Sequence, residues 1–346
     1  MIDYRITIQM APQVKVVIVG GGINGFSCGV NILESLPNVE ATIVSELFTP
    51  DTTGDKAAGL CFPFGVSDTP IELIAKWTKA TLEFCRSLAN TGEAATAGVF
   101  PHSGFYLGDA TCSNLKDIFL THQTLSKDEI RKIMPSNKSE SAFITTYVLE
   151  GKLFLAWLTQ RFLKYRGKTE RRKVMSLSEF VGKYDVIINC AGLGSKELVS
   201  DSEVYPVRGQ VIKVKAPFVK HFYIDMSEMT YIIPTSEVVT IGGTYQKGNY
   251  DEEVDMLTKK KLMEEACQLV PSLKNSEFIE DWVGFRPGRT RLRLEKEMMQ
   301  FNGKTIPVIH NYGHSGAGLT LCWGCATDVV ELLKQDRHLA KFSSKL

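Results

Sequence analysis

The feature that constrains this chain most is an apolar run that ends in a glycine-rich turn, VKVVIVGGGING, at 14–25. The run Val14–Val19 is largely β-branched, as in a strand buried on both faces of a parallel sheet. Gly20, Gly22 and Gly25 then follow the spacing G-x-G-x-x-G, and a helical pattern of apolar residues begins. Because a helix that opens after such a turn offers unpaired N–H groups to phosphates, the pattern predicts a dinucleotide site.

An acidic residue after the second predicted strand supports this prediction. The short apolar run ATIV at 41–44 is followed by Glu46, roughly 20 residues after Gly25. A carboxylate at this place hydrogen-bonds the ribose hydroxyls of an adenine dinucleotide and repels a 2′-phosphate, which argues against NADP. The alternative is a structural glycine turn without a ligand, and it leaves Glu46 unexplained.

The composition argues against several classes of function. With 346 residues and a hydrophobic content of 44 %, the chain is long enough for one large core or two linked ones. A net charge of +1 gives no footprint for nucleic acid or a membrane surface, and no apolar run approaches the roughly 18 residues of a membrane span. The N-terminal segment 1–13 lacks the pattern of a signal peptide, and we expect a short arm.

The eight cysteines are scattered, and several lie in apolar runs, so we expect buried thiols rather than a disulfide framework. Cys322 and Cys325 match C-x-x-C, but no second pair or cluster of histidines and cysteines completes a zinc site. We therefore predict no bound metal.

The chain ends in Ser344-Lys345-Leu346, and S-K-L at the extreme C-terminus is the peroxisomal address. Because a receptor reads this tripeptide, we expect residues 336–346 to form an exposed tail that binds the peroxisomal import receptor. The predicted localisation is the peroxisome, and the oligomeric state is left open.

A second apolar strand closed by glycines, YDVIINCAGLG at 184–194, indicates that the first sheet is completed far along the chain. The dinucleotide domain is therefore discontinuous, and we assign it residues 14–65, about 145–200 and 300–335. The remaining segments, about 66–144 and 201–299, are predicted to form a β-rich substrate domain. Within them, 284–295 alternates arginine and leucine as a solvated edge strand does, and a C-terminal helix is expected at 323–333.

A series of motifs resembles the D-amino-acid oxidase family, in its order along the chain and over nearly the whole length. The motifs are VVIVGGGING, TPDTTGDKAAGL, INCAGLGS, VYPVRGQV, TYIIP, IGGTYQKG, VGFRPGRTRLRLE and HNYGHSGAGLT. The D-aspartate oxidase branch is the most similar one. The resemblance implies an α/β fold, with a discontinuous Rossmann-like FAD-binding domain and a β-rich substrate domain. It also implies oxidation of a D-amino acid by O₂ to the 2-oxo acid, ammonia and hydrogen peroxide, with hydride transfer from the substrate Cα to flavin N5.

The resemblance also implies roles for individual residues. Arg286 matches the arginine that clamps the substrate carboxylate, Tyr231 matches a tyrosine that touches the same group, and the Gly316 carbonyl faces the amine. Phe64 and Tyr245 are further expected substrate contacts. The residues expected to bind FAD are Gly20, Gly22, Ile23, Asn24, Gly25, Glu46, Leu47, Thr52, Thr53, Gly54, Gly59, Leu60, Ser315, Gly318, Leu319 and Thr320.

Two departures bear on the substrate. The branch places arginines for a side-chain carboxylate at two positions that read Ile224 and Tyr245 here, although the branch resemblance favours acidic substrates such as D-aspartate and D-glutamate. Oxidation of neutral D-amino acids, or of glycine or sarcosine, is the alternative, and a non-catalytic nucleotide-binding protein is a further one. A serine hydrolase is disfavoured because 313–317, GHSGA, lacks the second glycine of G-x-S-x-G.

Overall fold

Two β-sheets with their covering helices make up the computed structural model, which describes residues 13–108, 116–135 and 141–335. The strands in these ranges are β1 (Val14–Val19), β2 (Val39–Ser45), β3 (Val99–Leu107), β4 (Thr121–Leu125), β5 (Ser141–Leu149), β6 (Lys168–Arg171), β7 (Val186–Asn189), β8 (Tyr205–Lys215), β9 (Phe222–Asp225), β10 (Thr230–Pro234), β11 (Val239–Gly242), β12 (Gln246–Lys247), β13 (Glu277–Gly288), β14 (Arg293–Phe301) and β15 (Lys304–Tyr312). The helices are α1 (Ile23–Ser35), α2 (Ile71–Ala89), α3 (Ala94–Ala97), α4 (Lys127–Ile133), α5 (Gly151–Lys164), α6 (Ser195–Leu198), α7 (Met256–Leu269) and α8 (Gly318–Lys334).

The first sheet contains the strand that precedes the glycine-rich turn. Its order is β14-β15-β7-β1-β2-β6, and every pair except β14–β15 is parallel. Val16, Val17 and Ile18 in the central strand β1 are completely buried, which confirms the prediction of a strand covered on both faces. The carboxyl ends of β1, β2 and β7 meet at one edge, where ligands bind in open α/β sheets.

The helices α1, α5 and α8 share a core with one face of this sheet. Phe26 of α1 is completely buried, and the rings of Phe48 and Phe162 meet it edge to face at centroid distances of 6.0 and 5.8 Å. A Cβ at Gly25 would lie 1.9 Å from the carbonyl oxygen of Gly20. The third glycine of the motif therefore allows α1 to pack closely on β1.

The second sheet is mostly antiparallel, which confirms the prediction of a separate β-rich unit. Its order is β12-β8-β11-β10-β9-β3-β5-β4, with β13 also paired to β8, and only β3 and β9 are parallel. One face packs on α4 and α7, where Ile130 and Leu262 join a core with Ile232 and Ile241. The opposite face contributes Ile224, Tyr231 and Ile233 to a second apolar cluster.

The division into two domains stays a prediction, and two elements pack with the sheet of the other assigned domain. The helix α2 lies in the segment 66–144 but packs on α8, in the helical layer of the first sheet. The strand β14 begins inside the segment 201–299 but forms an edge of the first sheet.

Two predicted elements have wrong boundaries. The C-terminal helix α8 begins at Gly318 rather than at Trp323, because residues expected in the glycine-rich turn form its first turn. The segment 284–295 is not one strand. It contains the end of β13 in the second sheet and the start of β14 in the first, so the chain crosses between the sheets after Gly288.

Among the described residues, one helical segment, Ser315–Lys334, is long and apolar enough to cross a membrane by length and composition alone. Of its most apolar window, 61 % is buried inside the protein, as in the core helix of a globular fold. The seven cysteines in the described ranges are free thiols, and no cluster there could hold a metal ion. The predicted N-terminal arm and C-terminal tail lie outside the described residues, apart from residue 13.

Candidate functional site

A cavity of about 720 Å³ begins at the carboxyl ends of β1 and β2 and reaches the second sheet. It brings together most of the residues expected to bind FAD. Those that line it are Gly20, Gly22, Ile23, Asn24, Glu46, Leu47, Thr52, Thr53, Gly54, Gly59, Leu60, Ser315, Gly318, Leu319 and Thr320. Of the expected substrate contacts, Arg286, Tyr231, Phe64 and Gly316 also line it, whereas Tyr245 does not.

The glycine-rich turn presents bare backbone to the cavity. Gly20 has φ +115°, and a Cβ there would lie 2.3 Å from the carbonyl oxygen of Cys190, the residue after the neighbouring strand β7. Gly22 is the N-cap of α1; no side chain caps the helix, and nothing lies within 4 Å of an added Cβ. The first N–H groups of α1 are therefore open to a phosphate. Gly25 does not line the cavity, since its role is the close packing of α1 on β1.

A second helix begins at the same cavity. The helix α8 starts at Gly318 without a side-chain cap, and Gly318 and Leu319 line the wall. The hydroxyl of Thr320 donates to the carbonyl of Phe62 and accepts from its N–H, both at 3.1 Å. Thr320 therefore fixes the strand-like segment around Phe62, and its hydroxyl is already engaged within the protein.

Two of the predicted threonines lie at a 3-10 turn, Thr53–Lys56, for which Thr52 is the N-cap. The backbone N–H and the hydroxyl of Thr52 donate to Asp55 Oδ2 at 2.9 and 2.7 Å. The hydroxyl of Thr53 donates to the carbonyl of Phe285 at 3.3 Å. This turn therefore joins the first sheet to the strand β13 of the second sheet, across the cavity.

One polar pair in the cavity wall combines a predicted residue with one that sequence reasoning missed. Asn24 Nδ2 donates to Nδ1 of His314 at 3.1 Å, and His314 is completely buried. Burial lowers the pKa of His314 to about 3, so the ring is neutral at physiological pH. Neither Asn24 Oδ1 nor His314 Nε2 has a partner in the described residues, which suits a polar ligand in the cavity.

At the other end of the cavity, Arg286 extends from β13. Its Nη1 donates to the carbonyl of Thr244 at 3.0 Å, and it forms no ion pair with a described acidic residue. Tyr231 of β10 packs on two glycines, since a Cβ at Gly242 or Gly243 would lie 2.3 Å from its ring. Both residues line the same cavity, and a guanidinium together with a tyrosine hydroxyl is a donor set that a carboxylate binds.

An aromatic pair closes one side of this end. The rings of Phe64 and Tyr245 are perpendicular, with centroids 5.6 Å apart, and the Tyr245 hydroxyl lies 3.2 Å from Ser315 Oγ. Phe64 lies against Gly316, where a Cβ would be 2.8 Å from its ring. Tyr245 therefore supports Phe64 from behind and does not itself line the cavity. Ile224 does line it, with 7 % of its surface exposed.

Sequence reasoning missed several further wall residues. They include Lys173, Val174, Met175, Gly192, Gly194, Met226, Met229, Thr244 and Trp282. The segment 173–175 follows β6, a fully exposed strand whose sequence KTER gives no apolar pattern. The glycines after β7 repeat the signal of the first turn, and that signal could have been used.

Three features suit FAD as the ligand. Two helix N-termini without side-chain caps open to the cavity, and Glu46 lies past β2. The buried pair of Asn24 and His314 has one acceptor and one ring nitrogen without a partner in the described residues. Together with the parallel sheet, these features define a dinucleotide-binding fold that FAD fits. The chain belongs to the DAO family of FAD dependent oxidoreductases, whose model matches residues 15–332.

Curated relatives agree with this assignment. The chain is 37 % identical to human D-aspartate oxidase over 94 % of its length and 96 % of the relative's. It is 34 % identical to a D-amino acid oxidase of Dugesia ryukyuensis over 92 % of its length and 97 % of the relative's. Glycine oxidase from Bacillus cereus has a similar fold, with a TM-score of 0.75, 19 % identity and coverage of 95 % of this chain and 98 % of that one.

Proposed function

We propose that this protein oxidises D-amino acids with O₂, and that Arg286 binds the substrate carboxylate. The observation that carries the proposal is the position of Arg286. Its guanidinium lies on the wall of the FAD cavity and has no acidic partner among the described residues. Relatives named D-aspartate oxidase and D-amino acid oxidase support it. FAD, when bound, would supply the acceptor for a hydride from the substrate Cα, and the residues of the cavity would orient the substrate.

The side chains of this site have distinct tasks. Arg286 offers its remaining N–H donors to the carboxylate in a planar fork, while Nη1 is held by Thr244. The hydroxyl of Tyr231 forms no hydrogen bond with a described residue and is free to donate to the same carboxylate. The carbonyl of Gly316 accepts from the substrate amine. Phe64 excludes water from the side of the cavity that Tyr245 backs.

The side-chain preference has two candidates. Identity with human D-aspartate oxidase supports an acidic D-amino acid such as D-aspartate or D-glutamate. Neutral D-amino acids are the second candidate, because Ile224 is buried in the cavity wall where a cation would be needed. Burying the side-chain carboxylate of the substrate there without a cation would cost roughly several kcal/mol of binding free energy.

The test is peroxide release by the purified holoenzyme from both enantiomers of aspartate, glutamate and alanine, and from glycine and sarcosine. We expect turnover of D-enantiomers only. Arg286→Ala should raise KM by about 100-fold or more and leave the Kd for FAD unchanged, with Arg291→Ala, outside the cavity wall, as the matched control. Turnover of L-amino acids, or normal kinetics in Arg286→Ala, would overturn the proposal.

We also propose that the C-terminal Ser344-Lys345-Leu346 directs the protein into peroxisomes. Hydrogen peroxide is a tolerated product in that compartment. The test is the location in cells of a fluorescent protein fused to the N-terminus of the full chain. Removal of the last three residues should disperse the fluorescence, and an unchanged peroxisomal pattern would contradict the proposal.

A further inference from the structure

The strand β8 carries the sequence VRGQV at 207–211, which the proposed reaction leaves without a role. We propose that Gly209 is a positioning residue for Arg286, and that Arg208 and Gln210 hold the segment that completes the seat of its guanidinium. This inference rests on the proposed role of Arg286 in binding the carboxylate.

Gly209 lies directly against the guanidinium. The antiparallel pairing of β8 and β13 places Gly284 opposite Gly209 and Arg286 opposite Val207, so Arg286 reaches diagonally across the pair. A Cβ at Gly209 would lie 2.3 Å from Nη1 and 2.5 Å from both Cζ and Nη2 of Arg286. Any other residue at this position would therefore occupy the space that the guanidinium fills.

Arg208 and Gln210 point to the opposite face of β8, because side chains alternate along a strand. Arg208 is 2 % exposed, and among the described residues it forms no ion pair with a carboxylate. A buried cation is costly unless its donors are satisfied, so the acceptors around it must be well placed. They are the carbonyls of Asp251, at 2.7 Å, and Glu253, and the side-chain oxygens of Gln246, at 3.0 Å, and Gln210, at 3.2 Å.

Gln210 fixes both ends of the same segment, 244–255. Its side chain donates to the carbonyl of Asp255 at 2.8 Å and accepts from the N–H of Asp255 at 2.9 Å. Its backbone N–H donates to Thr244 Oγ1 at 2.7 Å. Thr244 in turn accepts from Arg286 Nη1 through its carbonyl, at 3.0 Å. The strand β8 therefore determines the position of the guanidinium in two ways. Gly209 leaves the space that it fills, and the Gln210 N–H holds Thr244, whose carbonyl accepts from it.

The primary test is Gly209→Ala in the holoenzyme. The atoms nearest to the new methyl group belong to the end of a flexible side chain, so the guanidinium moves and the strand does not. Displacement by about 1 Å should raise KM for the best D-amino acid by about 100-fold. The inhibition constants of succinate and propionate, which are aspartate and alanine without the amino group, should rise by the same factor. The Kd for FAD and the melting temperature should stay at the wild-type values.

A double-mutant cycle separates positioning from a structural effect. In the Arg286→Ala background, Gly209→Ala should cause no further loss in kcat/KM or in succinate affinity. An additive loss would overturn the inference. Gly92→Ala is the control, because an added Cβ there meets nothing within 4 Å.

The outcomes also distinguish this inference from the proposed function. If Arg286→Ala keeps its carboxylate affinity, the proposed role of Arg286 fails. If Arg286→Ala loses that affinity and Gly209→Ala keeps it, only the positioning role fails. Should Gly209→Ala not fold, Thr244→Val provides the test, since it removes the acceptor of the Gln210 N–H. We expect KM to rise about tenfold in Thr244→Val and to return to wild type in Thr244→Ser, and equal KM values in the two variants would overturn the inference.

Discussion

Asn24 and His314 join the starts of two helices at the FAD cavity, with Asn24 Nδ2 3.1 Å from His314 Nδ1. Because Asn24 donates to Nδ1 and the ring is neutral, the ring proton lies on Nε2. The pair therefore presents one donor, His314 Nε2, and one acceptor, Asn24 Oδ1, that no described residue satisfies. A ligand that completes these two hydrogen bonds would therefore stabilise the buried pair.

The first prediction concerns the affinity for FAD. Replacing Asn24 by leucine leaves His314 without its donor and removes the free acceptor, so the Kd for FAD should rise about tenfold or more. Titration of the apoprotein with FAD, followed by flavin fluorescence, measures this. Asn31→Leu is the matched control, since Asn31 is buried in the same helix, hydrogen-bonds Ser27 alone among the described residues and lies outside the cavity wall. Equal Kd values for the two variants would contradict a cofactor contact.

The second prediction concerns pH. Burial lowers the pKa of His310 to about 4 and that of His314 to about 3, whereas both are near 6.5 in the unfolded chain. At pH values between the folded and unfolded pKa of each histidine, the unfolded state binds more protons than the folded state does. The free energy of unfolding therefore falls as pH falls below about 6.5. Each histidine contributes a slope of about 1.4 kcal/mol per pH unit near pH 5.

Urea unfolding of the apoprotein between pH 5 and 7 measures this slope. His314→Gln should remove the contribution of one histidine. A profile that is flat in the wild-type protein would exclude the assigned neutral state of the two rings.

The first sheet was predictable because its signals are local. Apolar strands covered on both faces, such as β1 and β7, read as continuous runs, and the glycines after them have fixed spacing. The strand β6 was not predictable from periodicity, because all four of its residues are exposed at the edge of the sheet. The chain crossing after Gly288 was hidden by a run of arginines whose partners, such as Asp201 for Arg289, lie far away in sequence.

Part of the candidate site came from the family resemblance, and the rest depends on tertiary contacts. Gly316 and Arg286 line one cavity only because two sheets meet there. His314 was missed because burial, and not its neighbours in sequence, removes its charge. Tyr245 was expected at the substrate, yet it contacts Phe64 from behind, a distinction that needs side-chain positions.

The third prediction separates two glycines of the turn. Nothing lies within 4 Å of a Cβ at Gly22, whereas a Cβ at Gly25 would lie 1.9 Å from a backbone oxygen. Gly22→Ala should therefore leave the apoprotein stable and weaken FAD binding by about tenfold or more, because the methyl group occupies the approach to the phosphates. Gly25→Ala should destabilise the apoprotein itself by about 1–3 kcal/mol or more.

Chemical unfolding of both apoproteins measures their free energies of unfolding. Titration of each folded variant with FAD measures its Kd for the cofactor. Equal stability losses in the two variants would mean that Gly22 is also a packing position. A Gly22→Ala protein with wild-type FAD affinity would place the phosphates elsewhere.

The last prediction concerns side-chain preference. Ile224 lies buried in the cavity wall, so an arginine there would place a cation beside the substrate side chain. We expect Ile224→Arg to raise the ratio of kcat/KM for D-aspartate to that for D-alanine at least tenfold, which corresponds to about 1.4 kcal/mol. Ile224→Gln, polar but uncharged, should give a much smaller change. Tyr245→Arg should also change the ratio little, because position 245 lies behind Phe64. A larger effect at 245 than at 224 would show that the substrate side chain points toward the aromatic pair and not toward β9.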